Sequence, residues 1–321
     1  MWALFACKGE APEEQVILEV KAVVEAELRG LEDAAVALRQ AAPDAAWAGG
    51  AELDPSKAAW RDARVAYERI EGAIAVLFPE LDASTDERYD GFLADLGPDD
   101  DLFDGERVTG VHAVERILWA DAHPAAVVTF ESALPGYTAA AFPATDDEAA
   151  RYRDALLQRL VDDVGQMHEG FEPLALDAAA AYEGVVGSMA EQVEKVALAA
   201  SGEDESRYAQ HTVADMRANL DGGLRLYQAF SPWVADAEPE VDADVLEGFA
   251  RVSAALDAVP GDAMPAVPAT WDPDAPSAED LATPYGELWA AVDRDSDPDA
   301  DGSLVERMVA AAAAIDLAIS P

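Results

Sequence analysis

The chain contains four histidines, and one of them, His112, stands three residues ahead of Glu115 in the stretch GVHAVERILWA, Gly110 to Ala120. Earlier in the chain Glu68 and Glu71 repeat the three-residue spacing. At about 100° per residue, side chains three apart share one side of a helix. In helical bundles, carboxylates and imidazoles so spaced on facing helices build metal sites. Three carboxylates and one neutral imidazole suit iron or manganese, with zinc within range. A helical zinc peptidase instead needs two histidines around a glutamate. Here Gly110 precedes Val111 and Arg116 follows Glu115, so neither H-E-x-x-H nor H-x-x-E-H is met. The same residues also fit a plainer role. Arg64 lies four before Glu68 with Arg61 on the same side, which would make the glutamates half-exposed ion-pair partners of little energetic worth. His112 would then be a hydrogen-bonded core histidine.

The elements that must position these groups read as helices. Val16, Val20, Val23, Val24, Leu28, Leu31, Ala35 and Leu38 recur at three and four residues, predicting a helix over Glu13 to Ala41. Pro43, Gly49, Gly50 and Pro55 break it. A second helix is expected from an N-cap at Ser56 to Phe78, stopped by Pro79. Its apolar stripe is Trp60, Tyr67, Ile74 and Phe78, with Glu68 and Glu71 on the neighbouring stripe. A short helix over Asp86 to Leu96 and the acidic loop Asp99 to Asp101 precede the helix of the histidine, Glu106 to Ala120. There Val111, Val114 and Leu118 form the apolar stripe beside His112, Glu115 and Trp119. In both helices the polar pair borders the buried face, so the two borders can converge on one inward site. A connection from His123 to Pro143 leads to a helix from Thr145, boxed by Glu148, to Phe171. Further helices are expected over Leu174 to Ala200, Ser206 to Phe230, Asp244 to Val259, Ala278 to Val292 and Leu304 to Ile319. No period-two strand is evident. The expectation is an all-α protein of two stacked antiparallel helical bundles. The first spans 15–143 and the second 144–321, with a Pro/Asp-rich surface loop at about 260–277.

Composition limits the partners. With 65 acidic against 21 basic residues the net charge is −44, which repels nucleic acid and anionic membrane surfaces. The charge also concentrates cations, although most of it reads as a solvated surface suited to solubility or high salt. Residues 1–14 read as a signal remnant and tether. Leu4-Phe5-Ala6-Cys7 resembles the end of a bacterial lipoprotein signal with Cys7 as the lipidated residue, followed by a polar spacer from Lys8 to Gln15. The apolar run is shorter than the roughly 7 to 15 residues of a signal core, and no Lys or Arg precedes it. The expected location is the periplasm or cell surface, with Cys7 the sole membrane attachment. With the N-terminus as written, the alternative is a cytoplasmic protein with one inert thiol. A single cysteine excludes an intramolecular disulfide.

One family matches these features in order. Trp60-Arg61, Arg64, Tyr67-Glu68, Ile70-Glu71, Phe78-Pro79, Leu81-Asp82, Arg88, and then Gly110, His112, Glu115, Leu118-Trp119 closely resemble the imelysin-like domain of EfeO-type iron-uptake proteins. Lys195, Gly202-Glu203, Tyr208, His211-Thr212, Asp215, Ala218-Asn219 and Gly222 resemble its second block. The resemblance covers roughly residues 15 to 235. It implies an extracytoplasmic helical protein that binds iron or a related cation and serves an uptake system with a membrane permease and a haem peroxidase. Carried over, His112 and Glu115 are the signature pair, Glu68 and Glu71 the acidic helix, and Asp82 a fifth oxygen ligand. His211 and Asp215, with Tyr208 and Asn219 nearby, form either a second cation site or a network anchoring the two bundles. Two departures stand out. Ala209-Gln210 and Val213-Ala214 replace a serine and an Asp-Leu of the second block, removing one candidate oxygen ligand. A cupredoxin-type β-sandwich is not expected before the first helix.

The leading expectation is therefore a non-catalytic metal-binding accessory of iron uptake, with iron the expected ion and zinc, manganese or calcium also compatible. Affinity should fall as pH drops below about 6.5, where an unperturbed histidine takes a proton. The alternatives are an imelysin-type metallopeptidase and, from another class, a cell-surface polysaccharide-binding or adhesion module bridged by Ca²⁺.

Overall fold

The computed structural model describes residues 12–319, so the reading of Cys7 lies outside the described residues. Within them the chain is all-α, and no strand forms. Helix α1, Pro12–Ala41, buries the expected row Val16, Val20, Val24, Leu28, Leu31, Ala35 and Leu38. Helix α2, Asp54–Glu68, starts three residues earlier than expected, with its N-cap at Leu53 instead of Ser56 and a proline in its first turn. Ser56 is not its cap; the Ser56 hydroxyl donates instead to the Ala41 carbonyl at 2.7 Å.

The helix expected to run unbroken to Phe78 stops at Glu68 and restarts as α3, Glu71–Leu77. The interruption lies where α11, Thr212–Ala237, crosses. A β-carbon added at Gly222 of α11 would sit 2.0 Å from the Arg69 carbonyl oxygen, so glycine there lets the two backbones touch. Glu68 and Glu71 thus flank a break rather than share one continuous helix.

Helices α4, Pro79–Asp86, and α5, Tyr89–Leu96, replace the single short helix expected from Asp86. The histidine helix, α6, spans Gly110–Leu118, and every residue in it is buried. It begins at Gly110 rather than Glu106 because Gly110 adopts φ +80° against the end of α4. A β-carbon at Gly110 would lie 2.2 Å from the Thr85 carbonyl oxygen. That close approach brings Asp86, the last residue of α4, beside the first turn of α6. An unexpected short helix, α7, Ala125–Glu131, lies in the connection that follows.

Helix α8, Asp146–Arg151, carries the expected Thr145/Glu148 capping box. A π turn over Tyr152–Leu156 joins it to α9, Leu157–Phe171. Helix α10, Ala178–Ser201, is capped by Asp177, whose side chain accepts from the Ala180 amide at 2.9 Å. Helix α11 begins at Thr212 rather than Ser206, because residues 205–210 form turns that fold back onto α6. Helices α12, Pro239–Asp257, α13, Pro284–Ser296, and α14, Leu304–Ala314, complete the order.

Helices α1, α2, α4, α6 and α9 pack together, and α10 to α14 form a second group. The two groups meet where α11 packs on α1 and α2, and where α10 packs on α3. Helix α9 follows residue 143 yet packs on α1, α4 and α6. Among the described residues no helix is long and apolar enough to cross a membrane.

Candidate metal centre

The seam between the two groups is filled by charge. Arg64 of α2 is fully buried. Its guanidinium pairs with Glu68 and Asp86, and also with Glu205 at 3.0 Å and Asp215 at 3.6 Å. Lys195 of α10 is 1% exposed. Its ammonium lies 3.2 Å from Glu68, 3.1 Å from Glu71 and 3.9 Å from Glu205. Burial acts to lower the pKa of both bases, but the facing carboxylates outweigh it and keep both charged. The ion pairs weighed as half-exposed and weak are therefore buried and mutually dependent, and removing one partner would strand several charges.

His112 lies against this network and is 2% exposed. Its Nδ1 faces Glu115 Oε2 at 2.9 Å, and its Nε2 faces Glu205 Oε1 at 3.3 Å and Asp86 Oδ1 at 3.4 Å. Glu115 is held from its other side, since Oε1 accepts the backbone N–H groups of Tyr208 at 2.9 Å and Ala209 at 2.7 Å. Both Glu115 oxygens are thus engaged, and the carboxylate fixes the imidazole with Nε2 turned to Asp86 and Glu205. A metal-bound histidine is commonly held this way by a carboxylate on its other nitrogen. Burial and the Arg64 charge act to lower the His112 pKa, but hydrogen bonds with Asp86, Glu115 and Glu205 hold it well above the usual histidine value. Against burial, Lys195, the His112 hydrogen bond and Arg64 hold Glu205 well below the usual carboxylate range.

Two sets of possible ligands result, and they share one residue. One oxygen each of Asp86 and Glu205 lies with a His112 nitrogen inside a 4.8 Å span, and Glu68, Glu71 and Glu205 form a second such set. The first offers an imidazole and two carboxylates, a donor set suited to iron, manganese or zinc. The second encloses Lys195. Beside them opens a cleft of about 210 Å³ whose lining includes Glu71, Asp82, Asp86, Glu191, Glu205 and Arg88. Asp82 hydrogen-bonds the Tyr67 hydroxyl at the cleft wall. Burial, together with the Asp86 and Glu71 charges, pushes Asp82 up to about 7 against the Tyr67 hydrogen bond. Glu191 is pushed up to about 7 by burial and by Glu71.

The sequence profile of the family described as imelysin, peptidase M75, matches residues 21–287. The chain belongs to the imelysin family. The iron uptake system component EfeO of Escherichia coli K12 is 28% identical over 205 residues, 64% of this chain and 44% of that protein. Proteins of the same description from Shigella flexneri and Shigella boydii match to the same extent. The chain spans less than half the length of these curated relatives.

In this imelysin-family chain the second sequence block is divided among several tasks. Tyr208 holds Glu115 through its amide and hydrogen-bonds Glu131 through its hydroxyl. Asp215 accepts from Ser206 and faces Arg64. Asn219 donates to Glu71 Oε2 at 2.8 Å and is itself held by Gln192 at 2.9 Å. His211 stands apart, with its ring edge-on to Trp60 at 5.9 Å and its Nδ1 3.9 Å from Asp262. Among the described residues neither His211 nor Asp215 joins a cluster of three possible ligands. Sequence reading missed Asp86 and Glu205. Both sit outside any three-residue spacing, Asp86 at a helix end and Glu205 in the turn GEDES.

Proposed function

We propose that the chain is an extracytoplasmic cation-holding accessory of an iron-uptake system, with iron as its cargo. The supporting observation is the convergence of His112 Nε2, Asp86 and Glu205 beside an acidic cleft, with Glu115 fixing the imidazole from behind. The name of the EfeO relatives points to iron, and the −44 net charge raises the local cation concentration. In this reading His112, Asp86 and Glu205 hold the ion, and Glu115 orients the ring. Glu68 and Glu71 neutralise Lys195, and Asp82 lines the approach. Manganese, zinc and, with lower fit to an imidazole, calcium are the other ions to compare. Tethering through a lipid on Cys7, a membrane permease and a haem peroxidase complete the proposal. A metallopeptidase reading has less support, because both oxygens of Glu115 are engaged in hydrogen bonds, so it is not free to serve as a base.

Anaerobic calorimetric titration with Fe²⁺ tests the proposal. The wild-type chain should bind the ion, and a His112→Ala, Glu205→Gln double variant with unchanged helicity should lose at least tenfold in affinity. Equal binding by the two proteins would remove the proposal.

A further inference from the structure

The two ligand sets share Glu205, whose Oε1 faces both His112 and Lys195 while its Oε2 pairs with Arg88 at 3.0 Å, an arrangement that sets two cation positions side by side across one carboxylate. Two-metal centres place their ions about 3.5 to 4 Å apart across such a bridge. Here one of the two positions already holds a cation. The Lys195 ammonium lies among Glu68, Glu71 and Glu205, whose ligand atoms fall within 4.8 Å of one another. Lysine carries three N–H donors; here it donates to Glu68 and Glu71, and Glu205 stands at ion-pair distance. The surroundings are built rather than incidental. Asn219 fixes Glu71, Gln192 fixes Asn219, and Arg64 holds Glu68 through one oxygen. The other Glu68 oxygen, Oε2, finds no hydrogen-bond partner although the residue is 1% exposed. A fully buried carboxylate with a free oxygen beside two other carboxylates is an unused metal-ligand position.

We infer that Lys195 is a tethered cation occupying the second position of a two-cation centre, and that it limits the chain to one bound metal ion. The inference rests on the proposed function, in which the first ion lies at His112, Asp86 and Glu205. Lys195 is part of the polypeptide, so it competes with a free ion as an intramolecular group whose effective concentration does not fall on dilution. Its single charge is enough to keep Glu68 and Glu71 folded inward. It also repels a second dication held only one carboxylate away. The chain therefore presents one ion for reversible transfer instead of locking a bridged pair in place. Lys195 is a residue that sets stoichiometry, and it does not itself contact the cargo.

Mn²⁺ is the probe, because its electron paramagnetic resonance distinguishes an isolated ion from an exchange-coupled pair. Wild-type chain, K195M and K195Q are titrated with Mn²⁺, and helicity is checked by circular dichroism. The wild type should bind one equivalent with an isolated-ion spectrum. Whichever variant retains wild-type helicity should bind two, with the coupled spectrum of a bridged pair. One equivalent in both the wild type and a folded Lys195 variant overturns this inference and leaves the proposed function standing. A coupled pair in the wild type overturns it whether or not the variants fold. A wild type that binds no Mn²⁺ overturns this inference, and the proposed function falls with it when the Fe²⁺ titration also shows no binding.

Discussion

Glu115→Gln separates a residue that binds the ion from one that orients the ligand. In the wild type, Glu115 Oε2 receives the His112 Nδ1 proton at 2.9 Å, while Oε1 accepts two backbone amides at 2.9 and 2.7 Å. The glutamine oxygen can keep the two amide bonds, which costs the fold little. Its NH₂ then faces Nδ1 and donates where the carboxylate accepted. The neutral imidazole must therefore carry its proton on Nε2, the nitrogen that faces Asp86 and Glu205. An ion can bind only after that tautomer is reversed against an unfavourable contact. Removing a carboxylate that orients a metal-bound histidine typically lowers affinity about 10- to 100-fold, or about 1.4 to 3 kcal/mol. Calorimetric titration of Fe²⁺ into both proteins measures the difference. Unchanged affinity would refute the orienting role. A loss as complete as that of His112→Ala would make Glu115 a ligand and return the site to the grouping expected from spacing alone.

Two further outcomes follow from the same network and a third from His211 beside it. Arg64→Met removes the guanidinium shared by Glu68, Asp86, Glu205 and Asp215, all in a fully buried position. Stranding buried carboxylates should cost about 3 to 5 kcal/mol in urea unfolding of the metal-free chain, and a loss below about 1 kcal/mol would show that water reaches the network. Hydrogen bonds with Asp86, Glu115 and Glu205 hold the His112 pKa well above its usual value, which favours the protonated ring in the free chain, so binding at the imidazole expels that proton. Titrations at pH 7 in buffers of different ionisation enthalpy should show release of about one proton, with affinity already rising with pH above 6.5; no buffer dependence would contradict the histidine's part. His211 has its pKa lowered to about 4, chiefly by burial. The unfolded chain therefore takes up the proton first, so the neutral-histidine stability is intact above about 6.5 and is lost as pH falls toward 4. The loss is up to about 3 kcal/mol relative to His211→Gln, read by chemical unfolding across that range, and parallel curves would show that His211 is solvated.

Much of the architecture was open to sequence reasoning because burial imposes a period. The row from Val16 to Leu38, the Thr145/Glu148 cap and the helices around Tyr67 and His112 all follow from local spacing and capping chemistry. The interruption at Arg69 and Ile70 did not show in that pattern. It arises where Gly222 brings the α11 backbone against the Arg69 carbonyl, a contact between residues distant in the chain. The start of α6 at Gly110 likewise depends on a carbonyl of α4.

At the centre the division is sharper. Residue type and three-residue spacing by themselves singled out Glu68, Glu71, His112 and Glu115 as polar groups on the edges of buried helix faces. Spacing says which side of its own helix a group occupies, but not which partners other helices bring to it. The fold turns Glu115 away to hold the ring, gives Glu68 and Glu71 to Lys195, and carries Asp86 and Glu205 to His112. Glu205 comes from a turn with no periodic signal, positioned by hydrogen bonds that the Tyr208 and Ala209 amides of the same turn donate to Glu115. Which carboxylates face His112 and which face Arg64 and Lys195 was set by how the helices pack, and Coulomb attraction in a buried seam depends on distances that only tertiary packing fixes.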